Sequence, residues 1–569
     1  MRKNSLLLAL LFAWLLPFAA IAADFDYTAF GSLPVAHEGR LKPLSRYAAL
    51  LYQDVTGERP ANDADASAWL AAVLFDPAGA ERAPQFHISD KQAVYALGLP
   101  RGAEDFSFDE INAAFQKNKA LVADLKKSAD LSDNEKSLLD VYVHASAYEQ
   151  TKDALTLVLP LRPDAKAKHP LSFADLPKSA PLRRALAAKG ETNVLFAVIP
   201  TGETWLSPWQ AFRSGKTGLL APWKTLARAY IDGDAEAWNK TAQILLDETM
   251  TAQNDSSLAF RLSVERFYQQ IDPFLYSFVF YLIGLLLSFM PARRKLSIWA
   301  QGFLGTGVVL HGLGLAGRMV ILQRPPVSTL YESVLFVGLL STLLFLVFAY
   351  RQRREAFLSL AGLAGIGFYL IALSLNDGQD DLKVLEAVLN TRFWLATHVL
   401  AITTGYALCA LTAVMAHTAL AAQAFKTRGF LAGREFGARI YQLSVWALLF
   451  VAGGTMLGGV WADQSWGRFW GWDPKENGAL LIVLWLTWLL HAKLSKRFDG
   501  PRFILGLALL GIVVGLSWLG VNLLGVGLHS YGFTSGLARG FTVFCAADII
   551  ILSLLWLKGR RNGAFPATV

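Results

Sequence analysis

Residues 440–494 read IYQLSVWALLFVAGGTMLGGVWADQSWGRFWGWDPKENGALLIVLWLTWLLHAKL. Two apolar runs, 440–461 and 478–494, flank a short loop that is rich in tryptophan and glycine. Apolar runs of about 20 residues have the length that a helix needs to cross the hydrocarbon core of a bilayer. The stretch therefore predicts two membrane-spanning helices joined by an aromatic loop.

The same pattern extends over the second half of the chain. With 54% hydrophobic and 17% charged residues, the 569-residue chain has the composition of a membrane protein with a soluble portion. We predict a mainly α-helical, polytopic membrane bundle of about nine spans. These spans are 272–290, 297–319, 330–350, 356–375, 393–421, 440–461, 478–494, 503–524 and 537–557.

The first half has a different character. Residues 24–268 carry frequent charges, stretches of helical periodicity and proline-rich connectors, which predict a mostly helical soluble domain. Residues 1–23 combine a basic start with an apolar run that ends in small residues, as in a secretory signal peptide. An uncleaved anchor helix is the alternative. Either interpretation exports residues 24–268 and leaves 269–569 as the transmembrane domain.

Basic residues indicate the orientation of the spans. If the first domain is outside, the alternate loops that face the cytoplasm are those rich in Lys and Arg, as the positive-inside rule requires. The bias predicts an odd number of spans and a cytoplasmic carboxyl terminus, in a bacterial plasma (inner) membrane. The net charge of +8 resides mainly at these helix ends, so the sequence offers no nucleic-acid-binding patch. The two cysteines, Cys409 and Cys545, lie in apolar spans without a CxxC motif, which argues against thiol exchange by this chain.

The loop within 461–478 is the candidate binding site. Three indoles beside glycines form an aromatic platform, and nearby cations offer charge-assisted hydrogen bonds to carboxylates. A large planar ligand that bears carboxylates, such as haem, fits these side chains. The alternative is an aromatic belt without a ligand, because tryptophan is enriched at membrane–water boundaries. The candidate residues are Trp466, Gly467, Arg468, Trp470, Trp472, Asp473 and Lys475.

Residues 466–477, WGRFWGWDPKEN, resemble the tryptophan-rich WWD signature of the haem-handling superfamily that assembles cytochrome c. The DPKE ending is most similar to the CcsA-type branch, the cytochrome c synthases of System II. Residues 324–333, RPPVSTLYES, resemble the outer LYES loop of that family. Residues 33–44, LPVAHEGRLKPL, resemble a segment found ahead of some CcsA-type proteins, and no chemistry can be assigned to them from sequence.

Histidine is the natural axial ligand of haem iron, and an ionisable side chain inside a membrane favours a functional role. The contexts of His398 and His529 resemble the two outer histidines that ligate haem in the family, and both lie on the same face as the WWD loop. His491 matches a transmembrane histidine that receives haem before its delivery outward. Its partner stays open between His417, His311 and a separate subunit. The alternatives are an interior histidine at 398, a solvated one at 529 and a snorkelling one at 491.

The resemblance also suggests roles within the loop. Trp466, Trp470 and Trp472 would cover the porphyrin, and Gly467 would allow the backbone to approach it. Arg468 and Lys475 would pair with the propionates. Asp473 and Glu476 would orient these cations or cap the next helix.

The resemblance implies a function in cytochrome c assembly. The protein would take haem b from the cytoplasmic side, hold it between His398 and His529, and act as a haem lyase on apocytochromes that carry a CxxCH motif. A ResB/CcsB-like membrane protein, thiol-reducing proteins and membrane lipid are the expected partners. A non-catalytic haem chaperone or exporter that serves a separate lyase is the main alternative. A membrane electron-transfer subunit and a small-molecule transporter are the others.

Overall fold

The computed structural model describes residues 25–128, 131–160, 191–202, 204–253, 255–290, 294–375, 382, 392–427, 429–498, 500–524 and 537–565. The chain divides into two compact units, Met1–Gln270 and Ile271–Val569. The expected signal peptide at residues 1–23 and the candidate ligand His529 lie outside the described residues.

The first unit is mostly helical, with short antiparallel hairpins between its helices. Its helices are α1 (Thr28–Ser32), α2 (Leu44–Thr56), α3 (Asp63–Phe75), α4 (Pro77–Arg82), α5 (Lys91–Leu97), α6 (Phe108–Lys117), α7 (Lys119–Leu125), α8 (Asp133–Asp153), α9 (Pro208–Arg213), α10 (Ala221–Asp232), α11 (Ala235–Thr251) and α12 (Leu258–Ile271). The paired strands are β1 (Pro34–His37) with β2 (Arg40–Pro43), β3 (Pro84–His87) with β4 (Asp105–Ser107), and β5 (Ile199–Thr201) with β6 (Thr204–Leu206).

Serine caps fix where several of these helices begin. Ser107, Ser132 and Ser207 each accept a hydrogen bond from the backbone N–H of the third helical residue, and the Glu or Gln at that position bonds back to the serine N–H. This reciprocal arrangement satisfies two backbone donors that the helix leaves without partners. A serine followed three residues later by Glu or Gln is therefore the sequence signal that starts α6, α8 and α9.

The β1–β2 hairpin contains the HEGRLK residues of the amino-terminal motif. Its turn consists of Glu38 and Gly39, whose φ angles of 50° and 78° are both positive, as tight two-residue hairpin turns require. Lys42 is fully buried, and its Nζ donates to Glu38 Oε2 at 3.2 Å. Arg40 pairs with Glu265 of α12 at 2.8 Å. The hairpin therefore attaches to the helix that precedes the first apolar span.

The second unit is a bundle of long apolar helices. They are α13 (Pro273–Ser288), α14 (Arg294–Leu322), α15 (Leu330–Gln352), α16 (Ala356–Leu375), α17 (Arg392–Ala424), α18 (Arg434–Trp466), α19 (Pro474–Leu494), α20 (Gly500–Trp518) and α21 (Leu537–Arg561). Over the described residues, eight helices are long and apolar enough to cross a membrane, and the α12–α13 pair, interrupted at Asp272, makes a ninth when taken together. The prediction of a polytopic helical membrane protein with a helical amino-terminal region is confirmed.

The aromatic loop is shorter than the sequence suggests. Helix α18 continues to Trp466 and α19 already begins at Pro474, so 467–473 is the whole connection. Gly467 ends α18 in the left-handed conformation, with φ 67°, which glycine adopts without steric cost. Asp473 caps α19, and Pro474 occupies its first turn, where the missing N–H costs nothing. Local capping chemistry therefore extends both helices beyond their apolar runs.

Helix α17 is central to the bundle, and α21 is peripheral. In the apolar windows of these two helices, 67% and 6% of the residues are buried, respectively. Glycines bring α17 and α18 close together. A Cβ atom on Gly454 would lie 2.8 Å from the backbone nitrogen of Ile402, and one on Gly405 would lie 2.9 Å from that of Val451. Small residues at such a seam let two membrane helices approach to backbone contact.

Candidate functional site

Four helix ends and the side of a fifth helix surround a cavity at one end of the bundle. Helices α15 and α19 begin at this cavity, and α18 and α20 end there. Helix α17 lines the cavity with residues between His398 and Tyr406. The cavity has a volume of about 130 Å³. The side chains that line it and bear on its chemistry are His398, Tyr406, Trp461, Trp466, Trp470, Lys475, Glu476 and Trp518. Three of the sequence-predicted loop residues and one predicted histidine therefore face a common space.

His398 presents a defined tautomer to this cavity. Its Nδ1 lies 2.8 Å from the carbonyl oxygen of Gly454, and since a carbonyl only accepts, Nδ1 carries the proton. The lone pair of the neutral imidazole is therefore on Nε2. Gly458 leaves room for the ring, because a Cβ there would lie 2.6 Å from His398 Cε1. Backbone carbonyls that hold one imidazole nitrogen are the usual support of histidines that bind metal through the other.

Indole rings form the wall beside His398. Trp461 lies 5.8 Å from the imidazole between ring centroids, and Trp466 stacks on Trp461 at 6.4 Å with an interplanar angle of 29°. The Nε1 atoms of Trp461 and Trp470 are buried and have no hydrogen-bond partner within the described part of the chain. Buried indole N–H groups normally find an acceptor. A ligand that brings acceptors into the cavity would satisfy them.

The polar residues of the loop mostly hold the loop itself. Asp473 accepts from the Lys475 N–H at 2.9 Å, and Glu476 Oε2 accepts from the N–H groups of Gly471 and Asp473 at 2.8 and 3.1 Å. This is a capping box on α19, which was one of the two roles expected for the two carboxylates. As acceptors of backbone N–H groups, these carboxylates build the platform and give its tryptophans a fixed frame.

Two platform residues point away from the cavity. Trp472 has a left-handed backbone (φ 58°) and a side chain that is 70% exposed, and it contacts Trp470 edge-on at 6.1 Å. Arg468 is exposed and packs over Gly471, where a Cβ would lie 2.8 Å from the guanidinium carbon. Neither residue lines the cavity in the structure, and the contact of Trp472 with the porphyrin and the pairing of Arg468 with a propionate stay predictions. The left-handed backbone of Trp472 directly precedes the cap residue Asp473.

A buried ion cluster holds the segment opposite the loop. Glu332 Oε1 accepts from Arg318 at 3.0 Å and from Arg324 at 3.4 Å, and all three side chains are almost completely buried. Glu332 Oε2 accepts from the N–H groups of Ser328 and Thr329 at 3.0 and 3.2 Å. Residues 327–330 line the cavity. The carboxylate of Glu332 in the LYES motif therefore holds the segment that forms one wall of the cavity.

The other candidate histidines lie elsewhere. His417 donates from Nδ1 to the Ala413 carbonyl at 2.9 Å, and its Nε2 faces Asp548 of α21 at 2.9 Å. His311 is buried, with Nδ1 3.2 Å from the Tyr281 hydroxyl. His491 donates from Nδ1 to the Thr487 carbonyl at 2.8 Å and is exposed near the opposite end of α19 from the cavity. The structure does not bring His491 together with either intrachain candidate.

The residues present fit an iron porphyrin in chemistry more closely than in size. The cavity is lined by one imidazole, that of His398, and by aromatic walls, which is the chemistry that an iron porphyrin requires. Clefts that hold drug-sized ligands usually measure about 300–1,000 Å³, so a porphyrin would enter by one edge or displace side chains such as Trp470.

Sequence reasoning missed several wall residues. Trp461 and Trp518 lie within predicted spans, where tryptophan is easily assigned to packing or to the membrane interface. Gly454 and Gly458 were also overlooked, although the paired glycines of GGTMLGG, residues 453–459, are a recognisable signal. A glycine-lined helix face implies a closely approaching neighbour. Here the neighbour is the helix that carries His398.

Comparison with known proteins agrees with this architecture. The family model described as "Cytochrome C assembly protein" matches residues 327–529. The protein CcsA of Synechococcus sp. (strain CC9902) is 30% identical over 239 residues, which cover 37% of this chain and 78% of that protein. CcsA of Parasynechococcus marenigrum (strain WH8102) is 28% identical over 295 residues, covering 46% and 95%. Both relatives are described as cytochrome c biogenesis proteins.

A longer relative is the protein NrfI of Wolinella succinogenes. It is 33% identical over 234 residues, which are 39% of this chain but only 25% of that protein. The residues that the family model matches include the LYES segment, His398 of α17 and the tryptophan-rich loop. The chain therefore belongs to the CcsA-type family of cytochrome c biogenesis proteins.

Proposed function

We propose that this protein holds haem b at the outer face of a bacterial inner membrane and attaches it covalently to CxxCH apocytochromes. The observation that carries the proposal is His398, which lines an indole-walled cavity and whose Nδ1 proton is held by the Gly454 carbonyl. This is the protonation state in which imidazole binds iron. Family membership supplies the biological context, since cytochrome c assembly requires haem handling.

The location of the cavity supports the outer face. The basic loops lie at the other ends of the same helices, and cytoplasmic loops carry such an excess of Lys and Arg. At the cavity end of the bundle lie the loops 323–329 and 467–473, which contain fewer Lys and Arg residues. The basic residues at the opposite end are Arg351, Arg353, Arg354, Lys426, Arg434, Arg439, Lys493, Lys496, Arg497, Lys558, Arg560 and Arg561.

The reaction needs positioning more than acid–base chemistry. Each substrate cysteine adds its sulfur to one carbon of a haem vinyl group and its proton to the other, so the two thioether bonds form without net oxidation. The nucleophile belongs to the apocytochrome, and the protein contributes iron coordination, orientation and a shielded site. His398, and by family resemblance His529, would hold the iron until the substrate histidine replaces one of them.

His491 extends the proposal to a partner. It lies on an exposed apolar face of α19 with Leu484 and Trp488, which are 56% and 52% exposed. A haem bound there would need its second ligand from outside this bundle. A ResB/CcsB-like membrane protein, with thiol-reducing proteins for the substrate cysteines, is the proposed partner. Surrounding lipid covers the same face when the partner is absent.

Replacement of His398 tests the proposal. We expect His398→Ala to lose bound haem and to abolish cytochrome c formation, because no other described side chain in the cavity offers an imidazole. Added imidazole should partly restore both. The measurement is the Soret absorbance of the purified protein together with covalent haem in a co-expressed apocytochrome. Thr397→Ala, whose hydroxyl donates to the Phe393 carbonyl, is the matched control.

The same assay separates lyase from chaperone. Covalent haem in the apocytochrome, formed in a host without its own maturation system, supports the lyase. Haem that is bound by this protein but never attached would support the chaperone instead. A protein that stays colourless with ample haem would contradict both.

A further inference from the structure

Trp518 lies in the wall of the haem-binding cavity although no sequence motif points to it. It is the last residue of α20 and is only 6% exposed. Its ring centroid lies 5.6 Å from that of Tyr406, at an interplanar angle of 35°. Both rings line the cavity that His398 faces. The indole is thus a broad apolar surface within the same small space as the proposed iron ligand.

Ser333 holds the edge of this indole. The Trp518 Nε1–H donates to Ser333 Oγ at 3.1 Å, and the Ser333 hydroxyl donates its own proton to the Leu330 carbonyl at 2.7 Å. The first of these bonds is buried and the second is partly buried. The hydroxyl therefore has one fixed orientation, and the indole N–H is directed toward α15. The LYES motif, which contains Ser333, contacts Trp518 directly.

Lys475 holds the backbone of the same residue. Its Nζ donates to the Trp518 carbonyl oxygen at 2.7 Å. That carbonyl also accepts from Asn522 Nδ2 at 3.2 Å. It belongs to the last turn of α20, where carbonyl groups lack backbone partners within the helix and the helix dipole favours a cation. The ammonium group of Lys475 therefore completes the carboxyl end of a helix. The close contact of Gly478 with Ser517, where a Cβ would lie 2.9 Å from the Ser517 Cα, brings α19 near enough for this bond.

We propose that Trp518 is a haem-contacting residue, and that Lys475 and Ser333 are positioning residues that hold its ring in the cavity. Lys475 then acts through Trp518 and not as the partner of a haem propionate. The proposal rests on the proposed haem site. It also assigns a common role to the LYES segment and the DPKE segment, because Ser333 of the first and Lys475 of the second both hydrogen-bond to Trp518.

Haem with esterified propionates distinguishes the two roles of Lys475. The purified full-length protein is stripped of haem and titrated with haem b or with its dimethyl ester, which lacks the propionate charges. If Lys475 positions Trp518, Lys475→Met should weaken binding of both compounds to the same degree, by about tenfold, the order expected for a lost charged hydrogen bond. If Lys475 pairs with a propionate, the variant should weaken binding of haem b but not of the ester, which would overturn the proposal.

A double-mutant cycle tests the link through Ser333. Ser333→Ala and Trp518→Phe each remove one end of the same hydrogen bond, so each should shift the Soret band and weaken haem binding about threefold. The double variant should be no weaker than either single one, because the bond can be lost only once. Additive effects would contradict the proposed link. Ser341→Ala, at another buried serine of α15, is the control and should leave haem binding unchanged.

The outcome is separable from that of the proposed function. A wild-type protein that binds neither compound would defeat the haem site itself. A wild-type protein that binds both compounds, with Trp518→Phe, Trp518→Leu and Lys475→Met all unchanged, would leave the haem site standing and overturn only the role of Trp518. Trp518→Phe keeps an aromatic ring in the wall, so the comparison survives if Trp518→Leu fails to fold.

Discussion

At the scale of single residues, the site depends on where one proton lies. The Gly454 carbonyl fixes the proton of His398 on Nδ1, and the absence of a side chain at Gly458 leaves the ring its space. The imidazole is therefore held from two sides by backbone of α18. The packing of α17 against α18 thus contributes to the orientation of the ring.

Gly458→Ala should weaken haem binding without unfolding the bundle. The new Cβ would lie 2.6 Å from His398 Cε1, so the ring must turn and Nε2 must leave its position. We expect a loss of about tenfold in haem affinity, the size that misplacement of one ligand bond produces. Spectroscopic titration of the purified protein measures it. Gly453→Ala, one turn away with no atom within 4 Å of the added Cβ, should bind haem as the wild type does.

Residue type and spacing predicted part of this site. His398 and the cavity-facing Trp466 and Trp470 were identified from the motif. Arg468 and Trp472 lie outside the cavity, since the cap at the start of α19 decides the local backbone. Sequence patterns give the chemistry that a loop contains. They do not give the directions of side chains in a seven-residue loop, where each φ and ψ depends on a few capping bonds.

At the scale of elements, the start of α15 depends on Glu332. Its two carboxylate oxygens are shared between two arginines and two backbone N–H groups, with no exposed atom. Charges buried in this way are costly when a partner is lost. Loss of this cluster should therefore also disorder the cavity wall formed by residues 327–330.

Glu332→Gln should destabilise the protein strongly. A neutral amide leaves the charges of Arg318 and Arg324 uncompensated, and the loss of one partner from a buried pair costs about 3–5 kcal/mol. A clear fall in the thermal midpoint and in the yield of monodisperse protein is expected. Glu355→Gln, an exposed carboxylate beyond the other end of α15, is the control. Equal midpoints for the two variants would contradict the structural role of the cluster.

The β1–β2 hairpin predicts a pH dependence for the first unit. The hydrogen bond from His37 and the charge of Lys42 lower the pKa of Glu38 to about 2. In the unfolded chain the carboxyl titrates near its ordinary value of about 4.3. The contribution of Glu38 is therefore complete above about pH 4.3 and is lost as the pH falls toward the folded value.

Glu38→Gln should accordingly lower the thermal midpoint of the first unit near neutral pH, and the difference from wild type should become smaller as the pH falls toward the folded pKa of about 2. Circular dichroism of the purified protein at about pH 7 and about pH 3 provides the comparison. Glu58→Gln, at an exposed site, should behave as the wild type at both pH values. A difference between Glu38→Gln and wild type that is the same at both pH values would contradict the role of ionised Glu38.

At the scale of the whole molecule, the sequence predicted the membrane fold closely. The nine apolar runs correspond to helices α13–α21, because a bilayer admits few alternatives to a helix of adequate length. The helix ends were predicted less well. The predicted ends were those of the apolar runs, which correspond to the edge of the lipid. Helices α18 and α19 continue beyond these runs into polar turns, where capping residues end or start them.

The proposed orientation can be tested by labelling. In a background of Cys409→Ala and Cys545→Ala, we expect Arg468→Cys to react with a membrane-impermeant maleimide added to the outside of spheroplasts. Lys496→Cys, in the loop between α19 and α20, should react only after permeabilisation. Both side chains are exposed in the structure, so access depends on the membrane alone. The opposite pattern would put the cavity on the cytoplasmic side.

The glycine contacts between α17 and α18 also affect the electronic properties of the His398 imidazole. Gly454 lies where the backbones of the two helices are in contact, and its carbonyl also accepts the hydrogen bond from His398 Nδ1–H. The strength of that bond sets how much electron density the ring can donate to a metal. If haem binds as proposed, a small separation of the two helices would weaken this hydrogen bond and change the reduction potential of the iron. Methyl groups added to the glycine seam should therefore shift the reduction potential of bound haem without contacting it.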